Sequence, residues 1–247
     1  MRIAICGAAN TGKTTLVQGF LKKWKTYSTP KNTYRDLIKE GALDHSTSTT
    51  TENQTKILAS LIKQQEQFKR LDEKIIHDRC TLDALAYTMW CYGKNKDGFD
   101  TTYVETQIEQ VKESMRSLDI IFLAKFDKSQ VPEDNGVRET DVEYITEIDN
   151  IYESLYQQYK QNAAADVFFP KDDTPLILPL PHNEQARISM IADYITPEGE
   201  MYGEENSILN PENIGELEHL VQQQQLEREA EEAEKKLLEK VNKELNL

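Results

Sequence analysis

Apolar and polar positions over the first 196 residues alternate between short solid runs and longer periodic stretches. Arg2–Cys6 (RIAIC) is continuous, apolar and β-branched, the pattern of a strand buried on both faces of a parallel sheet. Lys74–Asp78 and Asp119–Ala124 repeat the pattern, and a further strand is expected near Leu176–Leu180. Between them apolar residues recur at helical spacing, over about 13–24, 52–71, 82–92, 101–115, 142–161 and 184–194. A short strand is also expected at Tyr27–Ser28, followed by Pro30 and a helical NTYRDLIKEGAL. The polar run from His45 to Thr51 reads as a loop that ends in a helix cap. Strands separated by helices of this length predict an α/β three-layer sandwich, with helices on both faces of a central parallel sheet.

The pattern changes after Pro197. Residues 197–215 are rich in Gly, Pro, Asn and Glu, and 214–245 form a helix-prone stretch. Its middle, from Glu227 to Lys236, has only alanines at apolar positions, so no heptad persists. The expected organisation is a nucleotide-binding domain over 1–196 and an acidic linker with a charged helical tail over 197–247. The formal net charge of −14 divides accordingly: residues 197–247 carry −9 of it and the body only −5. Neither part has the basic stripe of a nucleic-acid binder. No apolar run reaches the roughly 18 residues of a membrane span. Cys6, Cys80 and Cys91 lack CxxC spacing, and no signal-peptide pattern precedes the first strand. Free thiols in the cytoplasm are the expectation. The tail helix is open to two readings, a solvated helix or a surface for a protein partner or a second copy.

Candidate chemistry begins where the first strand ends. Gly7-Ala8-Ala9-Asn10-Thr11-Gly12-Lys13-Thr14-Thr15 is a complete GxxxxGK[ST] loop in strand–loop–helix context. Glycines let successive N–H groups face phosphate oxygens, Lys13 supplies charge at the outer phosphates, and the Thr14 hydroxyl can enter the shell of Mg²⁺. The following helix adds its N-terminal dipole. These nine residues are assigned to ATP with Mg²⁺, which makes this a P-loop NTPase fold.

Two further constellations carry charge. Asp78 ends a core strand, where ligands of parallel sheets gather, and it can hold the metal shell or take a proton. Arg79 would reach phosphate or substrate. Asp83 falls in the first turn of the next helix, where it either meets substrate or stabilises the helix end. Farther on, PEDNGVRETD places Arg138 on a glycine-containing loop suited to close over a transferred phosphoryl group.

The set GxxxxGKTT, xxDRxxLDxLAY and EDxGVRxTDxEYxxEID resembles the NadR-type nicotinamide-riboside kinases and the broader NadR-like P-loop ATPases, over about residues 1–196. The resemblance implies a nucleoside or nucleotide kinase. Lys13 and Thr14 would be the phosphate and Mg²⁺ residues, Asp78 the catalytic acid, Arg79 its phosphate- or substrate-binding neighbour, and Arg138 the lid arginine. Arg35 matches a substrate position, while Asn32 stands where the family commonly carries an acid. The Leu180–Glu184 segment lacks the usual glycine. The expected function is transfer of the ATP γ-phosphoryl to a nucleoside- or nucleotide-like acceptor. The alternative is a nucleotide-dependent regulatory or assembly ATPase of AAA type, whose C-terminal helix binds a protein partner.

Overall fold

The computed structural model describes residues 1–30, 46–67, 74–129, 139–161 and 166–202. Arg35, Arg138, the helix expected over 32–43 and the tail helix of 214–245 lie outside the described residues. Two units are distinguished, Met1–Glu200 and Met201–Leu247, and only Met201 and Tyr202 of the second are described.

The chain order within the first unit is β1 (Arg2–Cys6), α1 (Lys13–Lys23), α2 (Thr51–Glu66), β2 (Ile75–Asp78), α3 (Thr81–Gly93), α4 (Thr101–Met115), β3 (Ile120–Ala124), α5 (Val142–Lys160), β4 (Leu176–Leu180) and α6 (Glu184–Tyr194). The four described strands are parallel in the order β2-β1-β3-β4. Ile3 is level with Ile76 and Ile120, and Ile5 is level with Asp78 and Phe122. This register brings the carboxyl ends of β1 and β2 to one edge of the sheet. The chain leaves β1 toward β2 on one side and then crosses to β3 on the other, so the topological switch point lies between the carboxyl ends of β1 and β3.

Strand alternation divides the core. Ile3, Ile5 and Phe122 pack with Leu16, Phe20 and Trp24 of the α1 region and Ile191 of α6. Ala4, Cys6, Ile121 and Leu123 face the opposite way, toward Leu58, Leu85, Val111 and Ile148 of α2–α5. Two-faced burial is why the strand sequences are solidly apolar. Each buried Ile, Leu or Phe among them contributes about 1.5–3 kcal/mol. Helix starts follow polar caps: Thr50, Asp100, Asp141 and Asn183 accept hydrogen bonds from N–H groups of the following first turns. Thr50 belongs to the polar run read as a loop with a cap.

The short strand expected at Tyr27–Ser28 is a single bridge. Ser28 N–H donates to the Lys74 carbonyl and Ile76 N–H to the Ser28 carbonyl, each at 2.9 Å. Pro30 stands two residues on, where the next ladder N–H would be, and its missing N–H ends the ladder. No described helix is long and apolar enough to cross a membrane. All three cysteines are buried free thiols.

One core residue makes stability depend on pH. His77 is buried in β2, and burial, followed by the charge of Arg2, lowers its pKa to about 4 from the ordinary 6.5. Between these values the unfolded chain holds a proton that the folded chain does not, so stability rises with pH there. Acidification from pH 6.5 to 4 is expected to remove up to about 3 kcal/mol. Urea unfolding across that range measures it, and His77→Gln should flatten the slope.

Candidate active site

The loop after β1 takes the backbone shape its residues allow. Gly7 has φ of 143° and Gly12 of 77°, while Asn10 between them also enters the left-handed region at 56°. A Cβ on Gly7 would lie 2.3 Å from the backbone oxygen of Ala124 at the end of β3. The loop therefore rests directly on the neighbouring strand, an approach only glycine permits. Gly7→Ala is expected to cost on the order of 1–3 kcal/mol in strain alone. It should also weaken ATP–Mg²⁺ binding sharply, as thermal unfolding and nucleotide titration would measure.

Lys13 opens α1 and folds back over the loop. Its Nζ donates to the carbonyl of Gly7 at 2.7 Å, to that of Ala8, and to Thr11 Oγ1 at 3.2 Å. The ammonium is thus buried inside the turn whose other residues would hold phosphate. Thr14, one residue on, donates its hydroxyl to Asp78 Oδ2 at 2.6 Å. These residues are 64 positions apart, and the pairing of β1 with β2 brings them together. A hydroxyl and a carboxylate in contact are a hard-oxygen pair, the donor chemistry Mg²⁺ takes beside nucleotide phosphates. Ala8 is fully buried, Ala9 and Asn10 are half-buried, and Thr15 faces solvent. The Asn10 side-chain amide donates to the Glu139 carbonyl at 2.7 Å, joining the loop to the chain just ahead of α5.

Arg79 and Asp83 form a buried ion pair. Arg79 is a non-glycine residue at φ of 87°, with its N–H donating to Ile5 O at 3.0 Å. Its guanidinium donates to Asp83 Oδ1 at 3.0 Å and lies 5.9 Å from the centre of the Tyr87 ring. Asp83 also accepts from the Cys80 N–H at 3.0 Å, the Tyr152 hydroxyl at 2.7 Å and, at a longer 3.4 Å, the Gly7 N–H. Its carboxylate thus caps α3, holds Arg79 and reaches the start of the phosphate loop. The Cys6 and Cys80 sulfurs are 3.0 Å apart beside it. Burial, the Cys80 thiol and the Asp83 charge push the Cys6 thiol well above its usual range.

Two residues of this neighbourhood escape sequence reasoning. Tyr152 sits on α5 among core aromatics, and only its hydroxyl bond to Asp83 distinguishes it. Arg187 is buried on α6, where it donates to the carbonyl of Thr11 in the loop, to Pro181 O at 2.6 Å after β4, and to Lys125 O at 3.2 Å after β3. The one signal in the sequence is a lone arginine between apolar neighbours in EQARISMIADY. Lys13, Arg79 and Arg187 are all buried near one loop, an arrangement that favours an anion.

Comparison with known proteins agrees with this architecture. The family model described as AAA domain matches residues 2–166. A deoxyadenosine kinase from M. mycoides, solved with the products dCMP and a flexible dCDP bound, has 22% identity and a TM-score of 0.54, covering 78% of this chain and 97% of its own. The NadR protein in complex with NR has 13% identity and a TM-score of 0.56, covering 82% of this chain and 54% of its own. Thymidylate kinase from Candida albicans has 14% identity and a TM-score of 0.52, covering 82% and 95%. At these identities the likeness is one of fold: a parallel sheet between helices with a P-loop after its first strand. No curated protein sequence matches the chain.

Proposed function

This chain belongs to the AAA domain family, and from that premise we propose that it is a small-molecule kinase, moving the γ-phosphoryl of ATP to a nucleoside- or nucleotide-like acceptor. The observation that carries the reading is the 2.6 Å contact between the Thr14 hydroxyl and the Asp78 carboxylate beside the phosphate loop. It makes one site from the nucleotide loop and the strand-end acid, the two parts phosphoryl transfer requires. The kinase folds that resemble this chain support the same reading.

In this proposal the nine loop residues hold the triphosphate, with Lys13 leaving the Gly7 and Ala8 carbonyls to meet the outer phosphates. Thr14 and Asp78 would hold Mg²⁺, which would offset the negative charge of the triphosphate. An acceptor oxygen bonds to the γ-phosphorus while the bond to the β–γ bridging oxygen breaks. ADP leaves, and Asp78 takes up the proton of a hydroxyl acceptor. Arg79, oriented by Asp83, faces the phosphates or the acceptor. Arg35 and Arg138, which lie outside the described residues, complete the proposed substrate and lid contacts.

ADP release measured against a panel of nucleosides and nucleotides, with reactions lacking acceptor as the blank, tests the reading. ADP formation should appear only with particular acceptors. If the protein binds ATP–Mg²⁺ and no acceptor raises turnover above the blank, the kinase reading fails. Hydrolysis without an acceptor would instead favour a regulatory ATPase.

A further inference from the structure

We propose that Arg187 is a positioning residue for the triphosphate site, setting the phosphate-facing geometry of the loop from behind; this rests on the reading of Gly7–Thr15 as a nucleotide loop. Arg187 is 4% exposed, and its guanidinium reaches three backbone carbonyls from three separate loops: Thr11 after β1, Lys125 after β3 and Pro181 after β4. All three loops leave the carboxyl edge of the sheet. One rigid fork with several donors can span them, whereas an ammonium on a flexible stem cannot match that geometry.

The Thr11 contact bears on function. The peptide unit joining Thr11 to Gly12 is planar and trans, so its C=O and N–H point in opposite directions. With the Thr11 oxygen turned toward Arg187, the Gly12 N–H points away from Arg187. That N–H belongs to the loop whose donors would meet phosphate. The same guanidinium nitrogen that donates to the Thr11 oxygen also lies against the next residue. A Cβ on Gly12 would come within 3.3 Å of Arg187 Nη1, so the arginine lies directly against the glycine it orients. A buried positive charge at that point also favours a polyanion on the far side of the loop.

The experiment titrates the full-length protein with ATP–Mg²⁺ and with magnesium tripolyphosphate, which has no base or sugar. Arg187→Met should weaken both by a similar factor, about 10- to 100-fold for lost charge-assisted hydrogen bonds. Arg187→Lys, which keeps the charge without the fork, should fall between. Ile191→Val, at an apolar core position of the same helix, should lower the melting temperature and leave both affinities unchanged. If Arg187→Met and Arg187→Lys bind both ligands within twofold of the unaltered protein, the inference is overturned. It is overturned equally if Ile191→Val weakens binding in proportion to its loss of stability, because the arginine would then act through folding alone. Should Arg187→Met fail to fold, Arg187→Lys against Ile191→Val decides. Absence of ATP–Mg²⁺ binding by the unaltered protein overturns the nucleotide-loop reading itself, a result separable from any effect of Arg187.

Discussion

Lys13→Met is expected to lower acceptor-dependent ADP formation by about 10²–10³-fold or more, the loss typical of removing a preorganised charge from a transition state. The substitution keeps an unbranched side chain of nearly the same length and removes its charge. In the folded protein the Lys13 ammonium is held by the carbonyls of Gly7 and Ala8 and by Thr11 Oγ1, within the turn itself. Those oxygens keep a cation buried within the loop, and in the proposed reaction it would move to incoming phosphate. The carbonyls lose a partner when it goes, but the desolvation cost of a buried charge is also removed. The melting temperature should therefore move little compared with activity. Steady-state ADP release and thermal unfolding on the same preparation separate the two. Activity within tenfold of the unaltered protein would remove Lys13 from the proposed chemistry.

Asp78→Asn is expected to reduce transfer by about 10²–10⁴-fold, the range for loss of a positioned acid–base group. Asparagine keeps the shape of the side chain, and its oxygen can still accept the Thr14 hydroxyl, which lies 2.6 Å from Asp78 Oδ2 in the folded protein. What disappears is the negative charge. A variant impaired through the metal shell should need more Mg²⁺ for half-maximal rate. One impaired only as a proton acceptor should show an unchanged Mg²⁺ requirement and a changed pH–rate profile. Magnesium titration of the initial rate, repeated across pH, distinguishes the two, and full activity at ordinary Mg²⁺ would exclude both roles.

The parts of this molecule legible in the sequence are those whose physics is local. β1 and the loop after it are contiguous, and the glycines at 7 and 12 mark the left-handed backbone found there. The strands and helices emerged because burial on both faces of a sheet leaves solid apolar runs, while packing of one helix face leaves a period near 3.6. Asp78, Arg79 and Asp83 were visible because a strand end and the next helix start are neighbours in the chain. Even there the partners were not legible. Asp83 could equally have met substrate or capped its helix. The structure shows its oxygens accepting from Arg79, Cys80, Tyr152 and Gly7. The Tyr27–Ser28 segment makes one bridge instead of a strand because β-forming side chains do not reveal how many rungs a ladder has before Pro30 ends it.

By itself the sequence determined a sandwich with a phosphate loop at the end of its first strand, since hydrophobic period and glycine placement are properties of neighbouring residues. Tertiary structure decided which distant groups meet at that loop. The Thr14–Asp78 contact depends on β1 and β2 lying side by side in one register. Arg187 comes to the Thr11 carbonyl from 176 positions away, because the chain must cross over to the far strand before α6 can pack against α1. No periodicity encodes such a meeting. Parallel pairing needs long crossovers, and these bring together residues that the chain keeps far apart.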